Sequence, residues 1–174
     1  MELFMLVLKS EVKTLHKNNV RLKVIGDKSK FSDKLQKKIQ EAEDFTAQND
    51  TLILNIAANY GGRWDIVNAA KQCVQQVVDD KMTVADVNED VLSRYIAMND
   101  QPELDLLIRT GGECRISNFL LWQAAYAELY FTDTLWPDFD EESFADAVSA
   151  FASRERRFGK TGDQVKCASQ EIKA

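Results

Sequence analysis

Residues 51–65 read TLILNIAANYGGRWD, an apolar run that breaks into a glycine pair and restarts with helical spacing. Residues 51–57 are short, apolar and partly β-branched, which predicts a strand buried on both faces. Asn59, Tyr60, Gly61, Gly62 and Arg63 form the loop after it, and Ile66, Ala70, Cys73, Val74 and Val77 then recur as one helical stripe. Strand, glycine loop and helix in that order are the unit from which parallel sheets are built.

The same alternation extends both ways. Upstream, residues 1–18 space Phe4, Val7, Leu8 and Leu15 along one helical face, with Lys9, Lys13 and Lys17 on another. Residues 20–25 (VRLKVI) alternate like a strand and stop at Gly26 and Asp27, and Ser32 caps a helix running to about Thr46. Downstream, Asn88 caps a helix over residues 89–97 and Pro102 closes the loop after it. Residues 104–109 (LDLLIR) predict a strand leading into Thr110, Gly111 and Gly112; residues 119–126 predict a helix and residues 128–131 (ELYF) a short strand. Pro137 and Asp140 introduce a last helix from 141 to about 157, and a polar tail follows Gly159. The expectation is a single α/β domain, a mainly parallel sheet flanked by helices with right-handed crossovers. Ligands of such sheets collect at the carboxyl ends of strands, where both glycine pairs fall.

Composition narrows the function. At 174 residues the chain can bury a core without disulfide or metal, and 45% hydrophobic with 29% charged residues is a globular profile. A net charge of −6 argues against a nucleic-acid partner. Cys73, Cys114 and Cys167 follow no metal-ligand spacing and read as free thiols of a reducing compartment. A lone His16 excludes a histidine metal cage. The apolar residues 3–8 (LFMLVL) lack the basic flank of a signal peptide, and no run is long enough to span a bilayer, which predicts a cytoplasmic protein with at most peripheral membrane contact.

No G-x-G-x-x-G, G-x-x-x-x-G-K or G-x-S-x-G pattern is present, which disfavours nicotinamide enzymes, P-loop NTPases and α/β-hydrolases. Residues 109–118 (RTGGECRISN) instead pack two arginines, two glycines and a hydroxyl behind a strand. A guanidinium fork matches phosphate oxygens, glycines let main-chain N–H groups approach an anion, and Ser117 and Asn118 could open a helix whose amino end favours negative charge. Each charge-assisted hydrogen bond is worth roughly 1.5–3 kcal/mol, enough together for micromolar binding of a diphosphate. The same residues also read as surface charges with Ser117 as a helix cap, and composition alone does not separate diphosphate, nucleotide and sugar phosphate.

Residues 108–122 (IRTGGECRISNFLLW) resemble a signature of the cis-prenyltransferases, the undecaprenyl diphosphate synthase family; residues 55–65 (NIAANYGGRWD) and 127–138 (AELYFTDTLWPD) resemble two more, in the family's order. The likeness runs over residues 1–159, leaving 160–174 as a tail. The resemblance implies an enzyme that condenses isopentenyl diphosphate with an allylic substrate, farnesyl diphosphate, in cis to give undecaprenyl diphosphate, the lipid carrier of cell-wall synthesis. It implies Mg²⁺ and a homodimer. Arg109, Arg115, Ile116 and Ser117 would bind the isopentenyl diphosphate, and Glu128 would help place Mg²⁺. Asn59, Gly61, Gly62 and Arg63 would shape the floor of the site; Leu52, Leu54, Phe4, Val7 and Leu8 would line the tunnel for the growing chain. Arg157 and Gly159 match an element that completes the partner subunit's site, although a cationic helix end with a glycine cap explains them equally. Cys114 departs from the family's histidine, and a soft thiol is a poor Mg²⁺ ligand.

The resemblance also implies an N-terminal part, with an Asp-Gly-Asn-Gly-Arg type loop whose aspartate is the main catalytic residue, that this sequence does not contain. No catalytic residue is therefore expected in this chain, which would be inactive and poorly stable alone. A non-catalytic partner subunit is the alternative, and an unrelated phosphate-binding module a third.

Overall fold

The computed structural model describes the backbone of residues 2–154 and the side chains of residues 10–154. Two compact units divide at Pro102 and Glu103. The first contains helix α1 (Glu2–Lys17), strand β1 (Val20–Ile25), helix α2 (Asp33–Thr46), strand β2 (Leu52–Ala57), helix α3 (Gly62–Val78) and the short helix α4 (Glu89–Ser93). The second contains strand β3 (Leu106–Arg109), strand β4 (Glu128–Phe131) and helix α5 (Glu141–Ala152). β1 pairs with β2 and β3 with β4, both in parallel, as the α/β reading requires.

In the first unit the core forms where α2 covers β1. Leu35, Ile39 and Ala42 repeat along one face of α2 and meet Leu22 and Val24 of β1, with Val12 and Leu15 of α1 packed against them. Full burial of each large apolar side chain contributes roughly 1.5–3 kcal/mol. Ser32 caps α2 as expected, its hydroxyl accepting from the Leu35 N–H.

The outer edge of β1 is closed by side chains. The buried Thr46 hydroxyl accepts from the Leu22 N–H (3.0 Å) and donates to the Ala42 carbonyl (3.0 Å). Glu43 accepts from the Val24 N–H (2.7 Å), and Asn49 donates to the Val20 carbonyl (2.7 Å). An edge whose donors are already satisfied is a poor template for another strand.

The structure corrects several expectations. β2 is not buried on both faces: Leu52 is 58% and Leu54 37% exposed. Among the described residues β2 has one neighbouring strand, and an apolar run does not state how many layers cover it. The buried stripe of α3 is Gly62, Asp65, Ala69 and Cys73, whereas Val74 and Ala70 face out. α4 stops at Ser93 rather than 97, because the Ala97 N–H is taken by the Asp65 carboxylate and the intervening turns tighten to Tyr95→Leu92 and Ile96→Ser93 bonds. The helix expected over 119–126 shrinks to a 3₁₀ turn, Gln123–Tyr126, because Ser117, Asn118 and Leu120 adopt left-handed backbone (φ +51°, +63° and +45°) that no right-handed helix contains. α5 closes at Ala152, where the Ser153 hydroxyl turns back to the Ala150 carbonyl (2.8 Å). Arg157, Gly159 and the tail lie outside the described residues.

Candidate functional site

The second unit carries the predicted anion loop. β3 ends at Arg109, and residues 110–127 connect it to the start of β4. Arg109 Nη1 donates to the Ser117 hydroxyl (2.8 Å) and to the Arg115 main-chain carbonyl. The side chains of Arg109 and Ser117 therefore meet, with the Arg115 main-chain carbonyl beside them, at the carboxyl end of a parallel strand where ligands of such sheets bind. The fourth predicted residue, Ile116, lies between Arg115 and Ser117 in the chain, and its carbonyl closes a turn with the Phe119 N–H (3.3 Å). Arg115 is ion-paired to Glu113 (2.5 Å), with both side chains well exposed.

The glycine pair does not serve as expected. Gly111 and Gly112 adopt positive φ (+86° and +75°), and their N–H groups donate to the Thr134 and Thr132 carbonyls (2.9 Å each). These amides hold the loop to the segment after β4 and are not offered to an anion. With Ser117 and Asn118 in left-handed backbone, no helix begins there either.

Glu128 does not join the cluster. It opens β4 opposite Leu106, while Arg109 lies opposite Phe131. Three residues separate them along the ribbon, about 10 Å at ~3.3 Å per residue, and strand alternation puts them on opposite faces. Glu128 is instead held by Arg154, whose Nη1 donates to its carboxylate (2.9 Å) and to the Leu129 carbonyl (3.0 Å). A single carboxylate is an acceptable Mg²⁺ donor only beside substrate oxygens and water. Among the described residues no cluster of three metal-type side chains exists, and the register separates Glu128 from Arg109, so these two residues do not by themselves fit a Mg²⁺ site. Cys114 is exposed within the loop.

Asn59, Gly61 and Gly62 occupy the carboxyl end of β2 in the first unit. Asn59 has φ +51° and locks to the turn after β1, donating to the Asp27 carbonyl (3.0 Å) and accepting from the Asp27 N–H (3.1 Å). Gly26 allows this approach: an added Cβ would lie 2.2 Å from the Ala58 carbonyl oxygen. Gly61 is the extended residue before α3, and Arg63 is exposed in its first turn. Sequence reasoning overlooked Asp65, which is only 2% exposed. Its carboxylate accepts from the Tyr60 hydroxyl (2.8 Å) and from the Ala97 N–H (3.1 and 3.3 Å to its two oxygens), tying the glycine loop to residues 94–101. The available signal was an acidic residue in the first turn of an amphipathic helix.

A hollow of about 470 Å³ on the first unit is lined by Arg21, Lys23, Lys28, Glu43 and Asp100 among others. Lys23 pairs with Asp100, Lys28 pairs with Glu43 (3.2 Å), and Arg21 Nε donates to the Asn49 carbonyl (2.8 Å). The Lys23 ammonium holds the Asp100 carboxyl below its ordinary range. None of the predicted substrate residues lines this hollow.

Fold and loop together define an α/β protein with an arginine-bearing loop at the end of a parallel strand. Over residues 1–159 the chain matches the prenyltransferase family model described as "Putative undecaprenyl diphosphate synthase", and it belongs to that family. It is 58% identical over 166 residues to the ditrans,polycis-undecaprenyl-diphosphate synthase ((2E,6E)-farnesyl-diphosphate specific) of Vibrio vulnificus strain YJ016, covering 95% of this chain and 66% of that protein. It is 60% identical over 161 residues to the enzyme of the same description from Yersinia pseudotuberculosis, covering 92% of this chain and 64% of that one. The chain thus spans just under two thirds of these relatives. Among solved structures it resembles lavandulyl diphosphate synthase from Lavandula x intermedia in complex with dimethylallyl diphosphate (TM-score 0.86, 37% identity, 91% of this chain and 69% of that one). It also resembles a "probable undecaprenyl diphosphate synthase" from Campylobacter jejuni (TM-score 0.81, 40% identity, 91% and 72%). Among the described residues no helix is long and apolar enough to cross a membrane.

Proposed function

We propose that this chain provides the isopentenyl-diphosphate-binding part of a cis-prenyltransferase that elongates farnesyl diphosphate to undecaprenyl diphosphate. The observation that carries this reading is the Arg109, Ser117 and Arg115 cluster at the end of β3, in a chain belonging to this family. Arg109 is pre-oriented by two acceptors and turns its guanidinium to the diphosphate, Arg115 supplies a second cation from the same loop, and Ser117 adds a hydroxyl. The work of these residues is to bind and orient; ionisation of the allylic diphosphate is assigned to none of them. Mg²⁺ is part of the reading through the family alone, and no step is drawn through it.

The exposed Leu52 and Leu54 on the face of β2 that continues Leu22 and Val24 of β1 support the lining of an apolar product chain. In the second unit Leu135, Trp136 (76% exposed), Phe144 and Val148 are apolar and uncovered, which supports a homodimer.

The test is calorimetric titration of the full chain with isopentenyl diphosphate. Binding at micromolar strength is expected, with Arg109→Ala weakening it at least 30-fold while circular dichroism stays unchanged. A folded wild-type chain that shows no binding would sink the proposal.

A further inference from the structure

The loop carries an anion of its own, the Glu113 carboxylate. Arg109 is engaged by Ser117 and by the Arg115 carbonyl, both of which are neutral acceptors inside the loop. Arg115 is different: its guanidinium is ion-paired through Nη1 with the carboxylate of Glu113, two residues earlier in the chain. The glycine amides that could have shared the work are committed to Thr132 and Thr134. An anion that uses the Nη1 group of Arg115 therefore competes with Glu113 for it.

We infer that Glu113 is a tethered competitor that weakens diphosphate binding by this loop and so favours release. The inference rests on the reading of the loop as a diphosphate site. Exposed ion pairs are worth about 0.2–1 kcal/mol, and holding Arg115 in such a pair lowers the apparent affinity of an entering anion by roughly 1.4–5-fold. A negative carboxylate beside the arginines also repels the incoming diphosphate, in the same direction. A carboxylate that merely oriented Arg115 for its ligand would have the opposite effect on removal. The sign of the change therefore discriminates.

The experiment uses the full chain, inorganic pyrophosphate as ligand and four proteins: wild type, Glu113→Gln, Arg115→Ala and the double variant. Calorimetry is expected to show pyrophosphate bound 2–5-fold more tightly by Glu113→Gln than by wild type. In the Arg115→Ala background the same substitution should change affinity by less than about half that factor, because the pair is already absent. Without ligand, the ¹⁵N–¹H resonance of the Arg115 side chain should move in Glu113→Gln, reporting the broken ion pair. Unchanged or weaker binding by Glu113→Gln overturns the inference, as does an equal gain in the Arg115→Ala background. Failure of wild type to bind pyrophosphate at all, with Arg109→Ala no different, would overturn the diphosphate reading itself, and the resonance shift would still report on the pair.

Discussion

Replacing Asp65 by alanine tests whether one buried carboxylate holds the glycine loop after β2 to residues 94–101. Asp65 accepts from the Tyr60 hydroxyl at 2.8 Å and from the Ala97 N–H at 3.1 and 3.3 Å. Hydrogen bonds to a charged acceptor contribute about 1.5–3 kcal/mol each. Tyr60 is only partly buried and can recover part of its bond from water, whereas the Ala97 N–H loses the acceptor that ended α4. The expected loss for Asp65→Ala is then about 3 kcal/mol. With a urea m-value of about 2 kcal/mol/M, the unfolding midpoint followed by circular dichroism should fall by about 1.5 M. Asp65→Asn keeps one acceptor oxygen and should lose about 1 kcal/mol, and Tyr60→Phe, which removes only the phenol bond, a similar amount. Tyr60→Phe should have little further effect once Asp65 is alanine. A midpoint for Asp65→Ala within about 0.3 M of wild type would refute the reasoning.

Two further outcomes follow from geometry. Gly26→Ala places a Cβ 2.2 Å from the Ala58 carbonyl oxygen at a φ of +120°, and both are main-chain constraints that no rotamer relieves; a loss of at least ~3 kcal/mol is expected in urea unfolding. Asp100 has its pKa lowered by the Lys23 ammonium, so its contribution to stability is full above the ordinary carboxylate range and is lost as pH falls through that range and below the folded value. The pair is partly exposed, so the amount is at most about 1 kcal/mol; Asp100→Asn should remove it, narrowing the stability gap to wild type as the pH drops below about 4.

Where sequence determined structure most directly, one short-range rule sufficed. The Ser32 cap, the helix it opens and the strand of residues 20–25 each depend on neighbours within a few residues, and each appears as expected. The errors share another cause: a long-range partner outbid local propensity. Asp65 took the N–H that would have continued α4, and the link from the glycine amides to residues 132–134 accompanies a left-handed path at 117–120 instead of a helix. Of the site, residues close in sequence (Arg109, Arg115, Ser117) were legible as a cluster. The place of Glu128 relative to Arg109 depends on a strand register that spacing alone does not reveal.

The glycine amides held by Thr132 and Thr134 bear on what kind of anion site the proposed loop would be. A cradle of main-chain N–H groups recognises phosphate largely by shape and survives loss of one side chain, whereas a side-chain site depends on each guanidinium. Gly111 separates the two. A Cβ there meets nothing within 4 Å, so Gly111→Ala adds only the cost of a non-glycine residue at φ +86°. That cost is about 1 kcal/mol of stability. Its N–H is already given to the Thr134 carbonyl, and alanine can keep that bond. Pyrophosphate affinity of Gly111→Ala should therefore stay within about twofold of wild type, a change of about 0.4 kcal/mol, while Arg109→Ala abolishes micromolar binding. A loss of more than tenfold in folded Gly111→Ala would mean that the glycine amides leave Thr132 and Thr134 when the anion arrives. The loop would then rearrange on binding, and the side-chain account of recognition would fail.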